Sequence, residues 1–492
     1  MHLRKPARMG AANKTFVSNL LMLIGINLLI KPIYVLIIEA QVQERVGAEN
    51  FGVYFALLNL TFILNILTDL GITNWNNRQV AERGIIVRKE VLKLIRIRLL
   101  LGIGYLAVCF IIAFLLSYRI DGMHILLVLA VNQVLATGIL FFRSYLSGLH
   151  LFAADRIISI SDRILLILLL GCALLFINPS NPFPLDFLIY GQTIAYSLTL
   201  FLAIYFVMRR SEPETSNDYV PSTTVLNSSL PFAALILVSM TSNRIDAVML
   251  ERLSDSYQAG IYAMTFRLSD TLTMIAYLFA VLLLPIFTRM LSQQKSPIEL
   301  FGVAFRMLLA GCAWVVGICI LSPEWVLDLI YDGHLTEASS VLPWTMAGAA
   351  LFSLQYSTGT LLTAGAHMKQ LIAISFIALV INIVLNFLLI PQQMAVGVAK
   401  TAFITQAIVF TSQAIIAHLK YRIWTKSILL HSILFVALAC CTIILMKSIQ
   451  LDSAMAVLIG SIMILITAIL LRMIPIREMM NTLHNDPIEK TT

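Results

Sequence analysis

The stretch IRLLLGIGYLAVCFIIAFLL, residues 97–116, holds a single charged side chain, at its second position. A helix rises 1.5 Å per residue, so these residues cover about 30 Å, the thickness of a bilayer's hydrocarbon core. Similar apolar runs recur on both sides of it. Working outward, the spans fall near 16–38, 50–74, 97–116, 123–142, 164–178 and 186–208. After a polar stretch from Arg209 to Pro221 they continue near 225–250, 257–284, 301–321, 339–364, 370–390 and 393–418, and then near 428–446 and 453–471. This pattern predicts an all-α, polytopic membrane protein of about fourteen transmembrane helices. Its organisation reads as a cytoplasmic N-terminus (1–15), a six-helix N-lobe (16–208) and a cytoplasmic linker (209–222). A six-helix C-lobe (223–418), two C-terminal helices (419–472) and a cytoplasmic tail (473–492) follow.

Composition agrees. Hydrophobic residues make up 59% of the 492 residues, only 12% are charged, and the mean hydropathy is +0.89, too apolar for a soluble chain of this length. The net charge of +8 sits in short segments between apolar runs rather than on one soluble face, which excludes a nucleic-acid binder. The six cysteines lie inside apolar runs without a CxxC pair or a nearby His at metal spacing, so no metal or other cofactor is expected. Arg4, Lys5, Arg8 and Lys14 precede a first apolar run too long for a signal-peptide core, which therefore reads as an uncleaved span.

The loop charges orient the bundle, because basic loops stay in the cytoplasm. Arg78, Arg83, Arg88, Lys89, Lys93, Arg96 and Arg98 follow span two, and Lys420, Arg422 and Lys426 follow span twelve. Acidic loops stand on the opposite side: Glu39, Glu44 and Glu49 after span one, and Glu324, Asp328, Asp332 and Glu337 after span nine. An even number of spans with both termini cytoplasmic satisfies both sets, and places the chain in a cell inner membrane. Residues 324–332 put three acids at helical spacing among apolar side chains, which predicts a short helix lying on the outer membrane surface.

Two tripeptides repeat at equivalent places in the two halves. Gly52-Val-Tyr54 opens span two and Gly260-Ile-Tyr262 opens span eight; Gly148-Leu-His150 follows span four and Gly365-Ala-His367 follows span ten. Three longer stretches then resemble a known family. They are Arg244-Ile-Asp-Ala-Val-Met-Leu-Glu-Arg252 with Ala259-Gly-Ile-Tyr262, then Ser322-Pro-Glu-Trp-Val-Leu-Asp-Leu-Ile-Tyr-Asp-Gly333 with Ala338-Ser-Ser-Val-Leu-Pro343, and last Ile381-Asn-Ile-Val-Leu-Asn386 with Ile390-Pro391 and Gly397-Val-Ala399. The chain resembles the polysaccharide exporters of the multidrug, oligosaccharidyl-lipid and polysaccharide flippase superfamily. The first half is similar mainly in topology and in Gly47-Ala-Glu-Asn-Phe-Gly-Val-Tyr54. The resemblance implies a two-lobed transporter with a central cavity, working by alternating access. Its implied substrate is a polyprenyl-diphosphate-linked oligosaccharide, moved to the outer leaflet for O-antigen, capsule or a related polymer. Membrane lipids and the polysaccharide polymerase machinery are the implied partners. Lys400 departs from the pattern, standing where similar sequences place a small residue.

An anionic headgroup crossing a membrane needs cations and polar groups facing a wet cavity, and ionisable residues within spans cost about 2.5–3.5 kcal/mol each on insertion scales. Lys31, Asp69, Arg244, Asp246, Arg267, Asp270, Arg306 and Lys400 qualify. Asn27, Lys31 and Tyr34 share one face of span one, and Tyr54, Thr61, Asn65 and Thr68 share one face of span two. Such stripes read either as a cavity lining or as hydrogen bonds between helices. Lys31, Arg244, Arg267, Lys400, Asn27, Tyr34 and Asn65 are the candidate substrate-binding residues, and Asp69, Asp246 and Asp270 the candidates for gating or ion coupling. Arg267 and Asp270 are three apart, which equally permits a pair within span eight. Arg306 is near enough to the cytoplasmic end of its span to reach water.

Two other functions remain open. A polymerase or ligase acting on lipid-linked sugars would need a long outer loop to build an active site, and the longest outer loop runs only from about Ser322 to Ala338. A cation-coupled drug exporter of the same superfamily would have acid-rich cavities, whereas the outer half here carries more cations than acids. No GxxxxGK[ST] loop is present.

Overall fold

The computed structural model describes residues 25–473 except 28, 119, 150, 179–180, 214–221 and 450, and it leaves the side chains of 120–121 and 222–236 undescribed. The N-terminal segment with its four basic residues, the start of span one, most of the linker and the C-terminal tail lie outside the described residues.

Among those residues the protein is helical, and its one β-type contact is an isolated bridge between Val87 and Glu212. In chain order the helices are α1 (Gly25–Val46), α2 (Ala48–Thr68), α3 (Ile72–Arg83), α4 (Arg88–Leu115), α5 (Ile120–Gly148), α6 (Phe152–Phe176) and α7 (Leu185–Arg210). They continue as α8 (Ser222–Leu253), α9 (Ser256–Ser292), α10 (Ile298–Leu321), α11 (Pro323–Asp328), α12 (Leu335–Ala364), α13 (Met368–Tyr421), α14 (Lys426–Ser448) and α15 (Ser453–Leu470). Among the described residues, eleven helices are long and apolar enough to cross a membrane. The expected fourteen spans are consistent with that number. The 54-residue α13 breaks at Met394 (φ 48°, ψ −128°) into two arms, just after Pro391 removes a backbone donor. The long helices α8 and α12 stand outside the eleven.

Several boundaries differ from the sequence reading. The expected first outer loop is helical: α1 runs to Val46 and α2 starts at Ala48, with only Gly47 (φ +87°) between them. Left-handed backbone at that corner suits glycine. The acids Glu39, Glu44 and Glu49 therefore ride on helix ends, and Arg45 turns back to donate to the carbonyls of Leu174, Ile177 and Asn178 at the end of α6 (2.9, 2.9 and 2.7 Å). Helix α6 begins twelve residues before the expected start of span five at 164. The expected helix after span nine is present as α11: Val326 and Leu327 are buried against α10 and α12, while Glu324, Asp328 and Leu329 are exposed.

By backbone contacts the chain divides into two compact units, Met1–Ala263 and Met264–Thr492. This packing boundary falls inside α9, after the 209–222 linker, because α8 packs closely on α2. Unit one is built on the pairs α5–α7, α2–α8, α6–α7 and α3–α5. In unit two, α12 packs on α13 and α10, while α14 and α15 add to α10 through Phe435, Ala439, Ile464 and Ala468 against Ala310. Trp424 fixes the chain between α13 and α14: its indole N–H donates to the Ala414 carbonyl (3.1 Å), and its ring meets Phe301 and Phe305 edge-on.

Candidate functional site

The first group of candidates lies on α1, against α6 and α7. Asn27 donates to Ser159 Oγ (3.0 Å), which brings the polar face of α1 onto α6. One turn later comes Lys31, and immediately after it α1 widens into a five-residue π-helix, Tyr34–Ile38. Such widened turns occur mostly as isolated defects in α-helices, frequently at functional sites. Tyr34 is 1% exposed, its hydroxyl has no hydrogen-bond partner among the described residues, and the Arg163 guanidinium stands 5.0 Å above its ring. Arg163 approaches Asp162 at 3.5 Å, and Glu39 and Tyr196 lie within its electrostatic reach. Arg143 grips both oxygens of Asp155 (2.6 and 3.4 Å). Lys31 is half-buried and feels Arg163, Arg143 and Asp162, yet it makes no hydrogen bond or ion pair with a described residue.

The second stripe behaves differently. Asn65, in a 3-10 turn at the end of α2, donates to Gln133 (3.3 Å), Thr68 meets Thr137 (3.1 Å), and Gln192 donates to the Tyr54 hydroxyl (2.8 Å). These side chains tie α2 to α5 and α7. Asp69 forms an ion pair with Arg98 and accepts from the Thr73 amide and hydroxyl, so it caps the first turn of α3. Arg244, on α8, donates weakly to Asn59 (3.4 Å) and lies over the Phe62 ring (5.2 Å). Asp246 is buried two residues further along α8.

Unit two holds the remaining candidates. Arg267 is buried and donates to the Tyr331 hydroxyl (3.3 Å), so the segment after α11 reaches the charge on α9. Asp270 lies within electrostatic reach of Tyr356. Lys400, six residues beyond the α13 break, donates to Gln393 Oε1 (2.6 Å) and stands 5.4 Å from the centre of the Trp344 ring. Arg306 donates to the Gly302 carbonyl of its own helix (3.0 Å).

The structure thus groups Asn27, Lys31 and Tyr34 with Arg143 and Arg163, two cations that the sequence reading missed. A span drawn at 164–178 is shorter than the roughly 20 residues a crossing needs, which was the signal. Extending it backward brings Asp155, Ser159, Asp162 and Arg163 onto the helix at three- and four-residue spacing. Arg98, counted with a cytoplasmic loop, is likewise a buried residue of α4.

Solved structures share the all-helical fold of this chain. A structure titled "Lipid II flippase MurJ, inward closed conformation" matches with a TM-score of 0.70 at 14% identity, covering 93% of this chain and 100% of that one. An inward-facing multidrug resistance MATE family transporter of the MOP superfamily matches with a TM-score of 0.59 at 12% identity, over 79% of this chain and 95% of that one. A MOP superfamily transporter from Pyrococcus furiosus, whose title describes reverse polarity of its binding pocket, matches with a TM-score of 0.57 at 15% identity, over 82% and 93%. No curated protein matches by sequence. The family profile described as "Polysaccharide biosynthesis protein" matches residues 16–291, more than half of the chain, and the protein belongs to that family.

Proposed function

We propose that this protein flips a polyprenyl-diphosphate-linked oligosaccharide from the cytoplasmic to the outer leaflet of the inner membrane, for assembly of a surface polysaccharide such as O-antigen or capsule. The observation that carries the reading is at the π-helical turn of α1, where Lys31 and the Tyr34 hydroxyl hold donors without a described partner. A diphosphate accepts from both, and it neutralises a cation that is otherwise costly within a membrane. Arg163 and Arg143 add positive charge beside carboxylates that the substrate would partly displace. Arg244, which lies over Phe62 within unit one, is a further cation offered to the headgroup or its sugars, and Arg267 and Lys400 are separate candidates within unit two. The polyprenyl tail stays in lipid, and no covalent bond changes.

The test uses purified protein in liposomes with a polyprenyl-diphosphate oligosaccharide. The lipid should change sides with its mass unaltered, and Lys31→Gln should slow this by about tenfold or more, as expected for a charge-assisted contact. A new glycosidic bond would favour a polymerase, and movement of organic cations in place of the lipid would favour a drug exporter. Both termini cytoplasmic is part of the proposal. Cysteines placed at Gln41 and Asp332, both exposed, should react with an impermeant thiol reagent applied to spheroplasts, and one at Arg88 should not. The reverse pattern would invert the orientation and with it the direction of transport.

A further inference from the structure

Helix α4 is longer than a membrane crossing. Its 28 residues extend about 42 Å, against about 30 Å of hydrocarbon, so its first two turns reach headgroup depth at the end which the charge pattern assigns to the cytoplasm. Steps of three and four residues bring Arg88, Leu92, Arg96, Leu99 and Ile103 onto one face, and all of them are exposed. The sequence reading left Arg96 in a loop, whereas the structure puts it two turns into the helix, between exposed apolar side chains. Arg96 makes no hydrogen bond or ion pair with a described residue.

A furrow runs beside this face. Helices α4 and α7 both pack on α5 but not closely on each other. A Cβ on Gly102 of α4 would lie 3.5 Å from Val134, and one on Gly138, a turn further along α5, would lie 3.2 Å from Leu200 of α7. The floor is therefore the Val134–Gly138 turn, with Leu99 and Ile103 (65% exposed) on one rim and Phe201 (72% exposed) on the other. A strap closes the furrow at its cytoplasmic end: the Glu212 amide donates to the Ile86 carbonyl (2.8 Å), the Arg88 amide to the Glu212 carbonyl (3.1 Å), and Arg88 Nε to Ser211 Oγ (3.2 Å). The Arg88 guanidinium is held there with N–H groups to spare. Glu90 is engaged by Arg83 and Glu82 by Arg78, so Glu212 stands among Arg88, Lys89, Arg96, Arg209 and Arg210, and the corner is positive.

We infer that this furrow is a binding site for an anionic glycerophospholipid of the cytoplasmic leaflet, with the phosphate at Arg96 and Arg88 and an acyl chain along Leu99, Ile103 and the floor of α5. A cation on a lipid-facing surface at headgroup depth is stabilised by a lipid phosphate, by about fivefold in affinity for each Lys or Arg beside an anionic surface. Charge complementarity selects an anionic lipid over a zwitterionic one, whose amine would bring a further positive charge to this corner. The occupant is not the transported lipid. Arg143 stands five residues, and so about 140° round α5, from Gly138, which puts the furrow on the far side of that helix from the group proposed to meet the diphosphate. The inference goes beyond the transport reading and does not depend on it.

The test titrates the full chain, purified in detergent, with phosphatidylglycerol or with phosphatidylcholine of the same acyl chains, and reads the first bound lipid by native mass spectrometry. Phosphatidylglycerol should bind at least about tenfold more tightly, from two cations acting together. Arg96→Gln should lower its affinity by about fivefold and leave that of phosphatidylcholine unchanged. Because Arg88 also holds the strap, Arg96→Gln is the deciding variant. Lys420→Gln, the same change of charge at an exposed position of unit two, should alter neither affinity. Equal affinities for the two lipids in the parent, or an equal loss in Lys420→Gln, would overturn the inference, since binding would then ignore charge or follow net charge alone. A last arm adds a polyprenyl diphosphate, which should leave the Arg96-dependent phosphatidylglycerol in place. Its displacement would give the furrow to the transported lipid and overturn the phospholipid assignment.

Discussion

Helices α1 and α2 carry the same kind of polar stripe, yet the two stripes end in opposite states. On α2 the polar groups find protein partners: Asn65 has Gln133, Thr68 has Thr137 and Tyr54 has Gln192. On α1, among the described residues, Asn27 alone is tied down across the stripe, while Lys31 and the Tyr34 hydroxyl have donors that no described residue accepts from, beside Arg163 and a π-helical turn. Both stripes satisfy the periodicity of a lined cavity. What separates them is hydrogen-bond completion, since a polar group inside a membrane that is already paired serves packing, whereas one left with capacity invites a ligand.

The comparison is most directly broken at Arg163. If α1 and α6 form the diphosphate site, Arg163→Gln should lower export of finished polysaccharide by about ten- to a hundredfold at matched membrane protein levels, the range for a buried charge-assisted contact. Arg163→Lys should retain part of it, keeping the charge and losing the planar fork. Export unchanged in both would return Arg163 to a structural role opposite Asp162. A second test contrasts unit two, where Arg267→Gln should also reduce export by about tenfold. Rescue by adding Asp270→Asn would show that Arg267 serves to balance that carboxylate rather than to meet substrate.

The opposite expectation holds for α2. Gln133→Leu removes one interhelical bond and strands Asn65, which should cost about 0.6–1.7 kcal/mol of stability, measured by unfolding in detergent. Transport per folded molecule should stay near the parent value. A selective transport loss without destabilisation would move Gln133 and Asn65 into the site and erase the distinction between the stripes.

How much of this was legible in the sequence follows the same division. The helical class, the positions of most spans and the polar faces of α1 and α2 follow from hydropathy and three- to four-residue spacing, which are local properties. The first turns of α6 escaped because Asp155, Asp162 and Arg163 dilute the hydropathy where the helix faces other protein, so the span looked as if it began at 164. The outer acids misled for a related reason, since charges at Glu39 and Glu44 suggested a loop where α1 continues. Which stripe is saturated depends on residues far along the chain, Gln133, Ser159, Arg163 and Gln192, and no periodicity within α1 or α2 reports them. The close approach of the α2 backbone at Gly52 to the α9 backbone at Gly260 is of the same kind: the repeat was visible, the backbone contact was not.

The smallest expected effect discriminates best, because its two components have opposite signs. A buried hydroxyl without a partner destabilises the fold by about 1–3 kcal/mol, so Tyr34→Phe should leave the melting temperature in detergent unchanged or raise it. The Arg163 cation keeps its ring to lie over, because phenylalanine preserves the aromatic face. If the Tyr34 hydroxyl donates to the substrate, transport should nevertheless fall, by about fivefold, since a neutral donor contributes near 1 kcal/mol, less than the charged groups around it. A more stable, slower transporter is what a ligand-facing hydroxyl predicts. Loss of both stability and transport would mean that the hydroxyl has a structural partner, making α1 no different from α2. Stability and transport both at the parent level would remove Tyr34 from the site and leave Lys31 to carry the α1 contact with Arg143 and Arg163.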